Sequence, residues 1–456
     1  MFLHHTAEKI VSGSKFGLNG WMIESLVVAP PFLVILFFAA GITDPSAVWN
    51  FFVALITLAP FWMPPFLAVI FWVIWMHYIR YLFWFSHEYI VLEIQLPQEV
   101  EKSPLAMETF FTALWNTGGE TTFIARIWNG SFRVVWSLEI ASNEGRVGFY
   151  IHTRKSWRNI VEARLYGLFP DAKVIEVDDY VSKINFNLQE YDLFGAEFTK
   201  PKANPQALPI KTYVDFKMDK DPKEEFKVDP IANIVELLGQ VGKDEHYWFQ
   251  IVLKPRKRDE WYGFYLGHDA YKDAGAAEIK KIMAGAAQRA KAVIAENEIT
   301  EGKTSLLTDG EKRRIDAIER SMSKLIFECG FRVLYFAKKD RFTGINIPQL
   351  IQFFSVFNGD GYEHNRLGVN RGTAFFDFPW QDFRQIRKTK IKELLFFFYK
   401  YRAYFYVPYD QEPVFLTTEE LATLWHFPGS SIKTPGLNRV AARRAEAPPN
   451  LPTLPS

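Results

Sequence analysis

The stretch "RVVWSLEIASNEGRVGFYIHT", residues 133–153, decides the fold of this chain. It contains two runs rich in apolar and β-branched residues, 133–142 and 146–153, separated by the short polar segment "NEG". This pattern predicts two antiparallel strands joined by a tight hairpin turn. A sheet is therefore expected in the first half of the chain.

Segments on both sides of this hairpin complete a unit of four strands and two helices. "YIVLEIQLP" (89–97) predicts a strand, and Ser103 followed by Pro104 predicts the start of a helix. After the hairpin, a helix over about residues 154–168 and a last strand in "AKVIEVDDY" are predicted. The order β-α-β-β-α-β is that of ferredoxin-like folds.

The same order begins again near residue 211. "KTYVDFKM" predicts a strand, "DPIANIVELLGQVGKD" repeats the helix start, and "HYWFQIVLKPR" predicts the next strand. Two charged helical stretches near 270–328 predict an inserted helical hairpin. "FRVLYFAKK" then resumes the sheet, "NIPQLIQFFSVFN" predicts the second helix, and "YRAYFYVPY" (401–409) is favoured as the last strand. We therefore expect a duplicated ferredoxin-like body.

Two apolar stretches precede this body. Residues 25–43 contain no charged side chain over about the length that crosses hydrocarbon at 1.5 Å per residue. A second span is predicted near residues 60–80, where Trp and Tyr are dense, as at a membrane-water boundary. Two alternatives remain open: a cleaved signal peptide, and a single crossing in which residues 47–59 lie in the interface and the body faces the opposite side.

Charges around the two stretches predict their orientation. Lys9, Lys15 and Arg80 flank the outer ends, whereas the connection between the stretches carries Asp44 and no basic residue. The positive-inside rule then places both termini in the cytosol and predicts a multi-pass protein of the cytoplasmic membrane.

The predicted fold class is an α+β membrane protein with two N-terminal transmembrane helices and a duplicated ferredoxin-like (βαββαβ) cytosolic body with a helical-hairpin insertion. The predicted domains are a cytosolic segment (1–21), a transmembrane hairpin (22–84), a first ferredoxin-like domain (85–200), a second (201–410) with its insertion, and a C-terminal helix with a proline-rich connector (411–456).

Composition narrows the possible functions. The 456 residues are 48% hydrophobic and 16% aromatic, which excludes wholesale disorder and predicts sizeable cores. Lys and Arg total 53 against 52 Asp and Glu, so the overall charge does not favour a polyanionic partner. The single cysteine, Cys329, is predicted to be a buried apolar side chain in a reducing compartment.

Motifs for catalysis are missing from the sequence. "EITEGKTSLL" contains Gly302, Lys303 and Thr304 in the order that ends a phosphate-binding loop, but position 297 is Asn where that loop needs glycine. The nine histidines show no zinc-hydrolase spacing, and the adjacent carboxylates of "VDD" (177–179) are expected to be solvated at a strand end. We therefore predict a non-enzymatic chain with no cofactor and no metal.

A basic run precedes an aromatic one in "RQIRKTKIKELLFFFYKYRAYFY". Basic and aromatic side chains together can bind single-stranded nucleic acid, whereas an amphipathic helix would solvate its cations or hold them near lipid headgroups and bury its aromatics. The helix interpretation is favoured. The candidate contacts to nucleic acid or lipid are Arg384, Arg387, Lys388, Lys390 and Lys392.

Three blocks, residues 137–180, 309–342 and 416–452, resemble the membrane-anchored, amino-terminal half of bacterial type IV secretion or conjugation ATPases. The last block, "EELATLWHFPG…TP…APPNLP", is the most specific. In that family it leads into a RecA-like motor, and this chain ends where the motor would start. The resemblance implies a connector that lies against a motor domain.

The predicted function is a non-catalytic inner-membrane scaffold of a secretion or conjugation-like machine that docks or organises a translocation ATPase in trans. Membrane lipids and further copies of the chain are also expected partners. The alternatives are a membrane-tethered nucleic-acid-binding module and the N-terminal fragment of a split motor. The residues predicted to dock the ATPase are Leu424, Trp425, His426, Phe427, Pro428 and Pro435.

Overall fold

The computed structural model describes residues 45–97, 102–120, 122–219, 229–257, 261–262, 265–266, 269–296, 307–373, 380, 382–406, 409–429, 436–437 and 439–440. The chain divides into two compact units, Met1–Tyr78 and Ile79–Ser456. The predicted span at 25–43 and Pro435 lie outside the described residues.

Eleven α-helices are formed by the described residues. They are α1 (Pro45–Thr57), α2 (Ala59–Phe85), α3 (Leu105–Leu114), α4 (Phe123–Ile127), α5 (Arg158–Leu168), α6 (Pro230–Gly239), α7 (Ala270–Glu296), α8 (Asp309–Ser323), α9 (Asn346–Ile351), α10 (Ile386–Lys400) and α11 (Thr418–Leu424).

The same residues form fourteen strands. They are β1 (Tyr89–Pro97), β2 (Trp136–Asn143), β3 (Arg146–Arg154), β4 (Lys173–Val177), β5 (Tyr191–Thr199), β6 (Glu245–Pro255), β7 (Trp261–Tyr262), β8 (Tyr265–Leu266), β9 (Ile326–Lys338), β10 (Gly368–Gly372), β11 (Phe405–Tyr406), β12 (Tyr409–Asp410), β13 (Val414–Thr417) and β14 (Arg439–Val440).

The first unit contains α1 and most of α2. Helix α2 is long and apolar enough to cross a membrane by its length and composition, and α1, with 13 residues, is too short. The predicted multi-pass location in the cytoplasmic membrane with both termini in the cytosol is therefore wrong, because the described part of the chain has one candidate helix and the topology rested on counting two.

Ten strands of the second unit form one sheet. Its order is β10-β5-β9-β6-β2-β3-β1, after which β1 pairs with β4 and then with β14, while β13 extends along β9 beside β5. Every pairing is antiparallel except that of β1 with β14. The sheet contains two sets of four strands, β4-β1-β3-β2 and β10-β5-β9-β6. In each set the fourth strand along the chain lies beside the first, followed by the third and the second, and the pairing of β2 with β6 joins the two sets.

The predicted fold class is wrong in its membrane helices, its two-domain body and several strands. Residues 85–200 and 201–410 do not form separate domains, because β2 and β6 pair over eight residues and make one continuous sheet. The predicted strand "KTYVDFKM" is a series of turns, and β5 takes its place. The predicted strand 401–409 forms only the short pair β11 and β12, and β10 closes the sheet edge instead.

Both faces of the sheet are covered. One face packs against α3, α5, α6, α9 and α11 in the largest apolar core of the described residues. The other packs against α10, against an aromatic segment formed by residues 403–406 and Tyr409, and against the end of α2. Gly330 of β9 permits the close approach of this segment, since a Cβ there would lie 2.3 Å from the Tyr404 ring. The long helices α7 and α8 pack together over a smaller apolar cluster.

The two ends of the sheet are named for what lies there. At the root end, Tyr89 of β1, Trp136 of β2 and Ile326 of β9 begin their strands close to where α2 ends. At the hairpin end lie the turn between β2 and β3 and the last residues of β9. The thirteen residues of β9 separate these ends by roughly 40 Å at about 3.3 Å per residue.

Candidate functional site

The root of α2 is clamped to the sheet by aromatic rings and cations. Phe83 and Trp84 pack on Phe132 with ring centroids 5.0 and 5.7 Å apart. The guanidinium of Arg154 lies 5.0 Å from the centres of both the Phe83 and the Phe132 rings. Cations over aromatic faces stabilise such contacts by about 0.5–2 kcal/mol each, so the helix end is firmly held.

Tyr406 extends this clamp across the sheet. Its ring centre is 4.4 Å from that of Phe132, and Arg80 and Lys254 both lie over its face, at 5.5 and 5.0 Å. Lys254 also forms an ion pair of 2.9 Å with Glu328. Burial disfavours the charge of Lys254, but Tyr406 and the Glu328 carboxylate outweigh burial and raise its pKa.

Gly130 allows the chain to pass against α2. Its φ of +63° is in the left-handed region, and a Cβ at this position would lie 2.4 Å from the carbonyl oxygen of Ile79. Both facts demand glycine. The segment that contains α4 is therefore fixed at the root end.

A second cluster, which we call the charge row, crosses the middle of the sheet. Glu139 of β2 stands opposite Gln250 of β6, which stands opposite Arg332 of β9, which stands opposite Glu197 of β5. The Gln250 amide donates to Glu139 at 2.9 Å, and Arg332 donates to Gln250 and Glu197 at 3.0 and 2.6 Å. All four side chains are buried, so the row is a continuous chain of satisfied polar groups.

Arg402 joins the charge row to the loop that follows β4. It donates to both oxygens of Glu139, at 3.0 and 3.2 Å, and to both oxygens of Asp179. Burial opposes ionisation of Glu139, but the Arg402 charge and its hydrogen bonds outweigh burial and hold the Glu139 pKa below its ordinary value. The same balance lowers the pKa of Asp179. Both carboxylates are therefore ionised, and each is paired with the Arg402 guanidinium.

Tyrosine hydroxyl groups from the layer that covers the sheet donate hydrogen bonds to the carboxylates of the charge row. Tyr180 donates to Glu139 at 2.7 Å and lies within hydrogen-bond distance of the Tyr399 hydroxyl, also at 2.7 Å. Tyr409 donates to Glu197. Burial raises the pKa of Tyr180 and Tyr399 well above the ordinary value. These groups stay protonated and hydrogen-bonded to each other, an arrangement that holds the two layers together and offers no access to a substrate.

Sequence reasoning missed most of this row. Each of its strands carries one polar residue inside an apolar run, as in "SLEIAS", "WFQIVL" and "GFRVLY". That pattern was the available signal, because a polar residue inside a buried strand requires a partner. Asp179 was singled out as one of the "VDD" carboxylates, but it was expected to be solvated, whereas the structure pairs it with Arg402.

The residues predicted to dock a motor lie inside this chain's own core. Trp425 is 0% exposed and contacts the rings of Phe111, Phe149 and Phe427. The remaining described members of the set, Leu424, His426, Phe427 and Pro428, are buried as well. In this conformation they pack on their own domain and present no surface to a partner.

His426 fastens this segment to α6. Its Nε2 lies 3.0 Å from the carboxylate of Asp229, which caps the start of α6 by accepting from the Ile231 amide. Its Nδ1 lies 3.0 Å from the carbonyl of Ala422. Both ring nitrogens therefore lie within hydrogen-bond distance of an oxygen, which fixes the orientation of the ring.

The basic run occupies the first turns of α10 at the hairpin end. Arg384, Arg387 and Lys390 are exposed, whereas Lys388 is half-buried. Lys392 forms an ion pair with Asp192 at the start of β5. The aromatic residues that follow, Phe396, Phe398 and Tyr399, are buried against the sheet. The structure therefore buries these three rings, whereas Phe397 and Tyr401 of the same run are each 41% exposed.

The other predicted sites contribute no reactive centre to the described residues. Gly302, Lys303 and Thr304 lie outside them. Cys329 is fully buried, and burial raises its thiol pKa well above the ordinary value. Within the described ranges, no group of three or more His, Cys, Asp or Glu residues is placed to hold a metal ion.

Together these features define an α+β protein class: a large antiparallel sheet with both faces covered, a closed interior of paired charges, and an apolar helix rooted at one end. Residues 88–439 match the profile of DUF8128, a domain of unknown function, and the chain belongs to that family. No curated protein matches the chain.

Proposed function

We propose that this chain is a non-catalytic, membrane-tethered scaffold that holds a partner away from the bilayer. The observation that carries the proposal is the position of two segments at opposite ends of one sheet. The apolar helix α2 is rooted at the root end, and β14 pairs with Leu96 and Pro97 at the hairpin end. The strand β1 leads from the root end to β14, so the residues that follow Val440 start roughly 26 Å from the root of α2, at about 3.3 Å per residue.

The packing of the second unit supports a rigid spacer. The clamp fixes α2 to Phe132 and Tyr406, and the charge row ties four neighbouring strands to the layer above them. Close packing of this kind transmits position with little deformation. A rigid link between a bilayer and a partner requires that property.

The partner implied by the resemblance is a translocation ATPase of a secretion or conjugation machine. Its contact surface is proposed at the hairpin end, where the residues after Val440 begin and the exposed cations Arg384, Arg387 and Lys390 lie, with the residues after Val440 as the main contact. This placement replaces the residues around Trp425, which stabilise the fold. Cutting the chain before residue 417 would remove α11 from the core, so a truncation that tests partner binding has to follow Val440.

The test is affinity purification from membranes of the full chain and of a variant that ends at Val440. We expect a nucleotide-hydrolysing partner to be recovered with the full chain and lost, or reduced at least about tenfold, with the truncated one, a change of about 1.4 kcal/mol in binding. A variant with glutamine at Lys272, Lys280, Lys281 and Lys312 on α7 and α8 is the surface control. Equal recovery with both chains, or hydrolysis by the isolated full chain, would refute the proposal.

Nucleic-acid binding is the second candidate function, because Arg384, Arg387 and Lys390 form an exposed cationic surface. The burial of Phe396, Phe398 and Tyr399 removes these three rings from base stacking, so phosphate pairing carries most of the expected affinity. A variant with glutamine at Arg384, Arg387, Lys388 and Lys390 should then lose a salt-sensitive affinity for single-stranded DNA. Lys392 stays unchanged because it pairs with Asp192. An affinity equal to that of the unsubstituted chain would eliminate this function.

A further inference from the structure

Helix α4 presents apolar side chains to solvent. Phe123 is 62% exposed, Ile124 66% and Trp128 69%. Together with Ile127 they line a shallow apolar concavity of about 240 Å³. Large apolar side chains grouped on a surface mark a site of contact with another apolar phase or molecule.

The position of α4 is fixed at the root of α2. The hydroxyl of Thr122 caps the helix by accepting from the Ala125 amide at 3.1 Å. Gly130 follows and lies against the backbone of Ile79, and Phe132 packs on Phe83 two residues further on. The exposed face of α4 is therefore held beside the part of α2 that belongs to the same compact unit.

That part of α2 is itself exposed and apolar. Tyr81 is 52% exposed, Leu82 48% and Phe85 58%. The two groups of side chains belong to segments joined by direct backbone approach. They have the chemistry of a membrane interface, where Trp, Tyr and Phe place their rings at the level of the headgroups.

The geometry points to α4 as a second bilayer contact, which inserts Phe123, Ile124 and Trp128 into the interfacial region next to the point where α2 leaves the membrane. The proposal rests on the proposed function, in which α2 is the tether. Its occupant is lipid because the segment that carries the patch meets the backbone of α2 at Ile79, a few residues from the exposed apolar side chains at the end of that helix. Two bilayer contacts would fix the orientation of the body relative to the membrane. A single helix cannot do this, because the protein could rotate about the helix axis.

The test uses the full chain in lipid vesicles, with one environment-sensitive fluorophore on an introduced cysteine. Cys329 is fully buried, so an exposed introduced thiol is the one that reacts. The labelled variants are Ile124→Cys on α4, Phe66→Cys on α2, and Ile345→Cys as control. Ile345 is 73% exposed and follows β9 at the hairpin end, so it matches Ile124 in chemistry but not in place.

We expect the labels at 124 and 66 to shift their emission to the blue on reconstitution. Both should be quenched by lipids that carry a spin label near the headgroup or in the acyl chain, and protected from a water-soluble quencher. The label at 345 should stay accessible to water. The 124 label is expected to respond to the shallow lipid quencher more strongly than the 66 label, since interfacial helices lie about 5–10 Å into the boundary.

The outcomes separate the two proposals. Lipid quenching at 66 but not at 124 would overturn the second contact and leave the tether intact. Absence of lipid quenching at both positions would overturn the tether and the inference that rests on it. A label at 124 that is shielded from water yet insensitive to both lipid quenchers would show that protein covers α4, which also contradicts the inference.

Discussion

Replacing Arg402 with methionine is expected to destabilise the body by about 3–5 kcal/mol, the usual cost of leaving one partner of a buried ion pair alone. Arg402 neutralises Glu139, which is 0% exposed, through two hydrogen bonds of 3.0 and 3.2 Å. After the substitution, Glu139 keeps neutral donors from Ser137, Tyr180 and Gln250. These donors reduce the cost, so we expect a value near the lower limit.

The assay is urea unfolding of the full chain in detergent micelles, followed by tryptophan fluorescence, because Trp248 packs between Tyr180 and Tyr399. The control is Arg158→Met, which removes the surface pairs of Arg158 with Glu162 and Glu176 and should change the midpoint little. Glu139→Gln in the Arg402→Met chain removes the unpaired charge and should recover part of the loss. A loss below about 1 kcal/mol for Arg402→Met, as for a surface pair, would refute the reasoning.

Three further changes test other parts of the structure. Gly130→Ala should cost at least about 1–2 kcal/mol from its positive φ alone and loosen α2, whereas Gly167→Ala, in open space on α5, should be neutral or slightly stabilising by the same unfolding measurement. Burial lowers the pKa of His246 in the folded chain to about 4. As pH falls below about 6.5, the unfolded chain therefore binds a proton at this histidine before the folded chain does. The free energy of unfolding should then fall by roughly 1.4 kcal/mol per pH unit from this group until about pH 4, and His246→Gln should flatten that slope. Trp425→Ala should cost about 3–5 kcal/mol, and a variant that unfolds normally but loses a partner would contradict its assignment to the core.

The central hairpin was predictable because it is local. The runs 133–142 and 146–153 and their turn correspond to β2 and β3, which is confirmed. Strand β5 was missed because Asp192, Gly195 and Glu197 interrupt its apolar pattern, and their partners come from distant segments. β10, "GVNRG", has almost no strand signal and forms only because β5 offers it an edge.

The site was less predictable than the fold. A docking strip was expected around Trp425 because the resemblance implied a connector that lies against a motor domain, but sequence alone does not say whether the contact is with another chain or with the chain's own core. The charge row needed knowledge of register, since Glu139 and Arg402 are 263 residues apart. Amphipathic α10 could be identified from its sequence, and burial of its aromatic face is the interpretation that the structure supports.

In the proposed function, the root end of the sheet faces a bilayer and the hairpin end faces a partner. Electron cryomicroscopy of the full chain in a lipid nanodisc, with an antibody fragment bound to a short epitope inserted directly after Val440, tests it most directly. Fragment density is expected on the side of the body away from the disc, separated from the lipid by about the length of β1, roughly 26 Å. Fragment density against the disc surface, or a body without attachment to the disc, would contradict it.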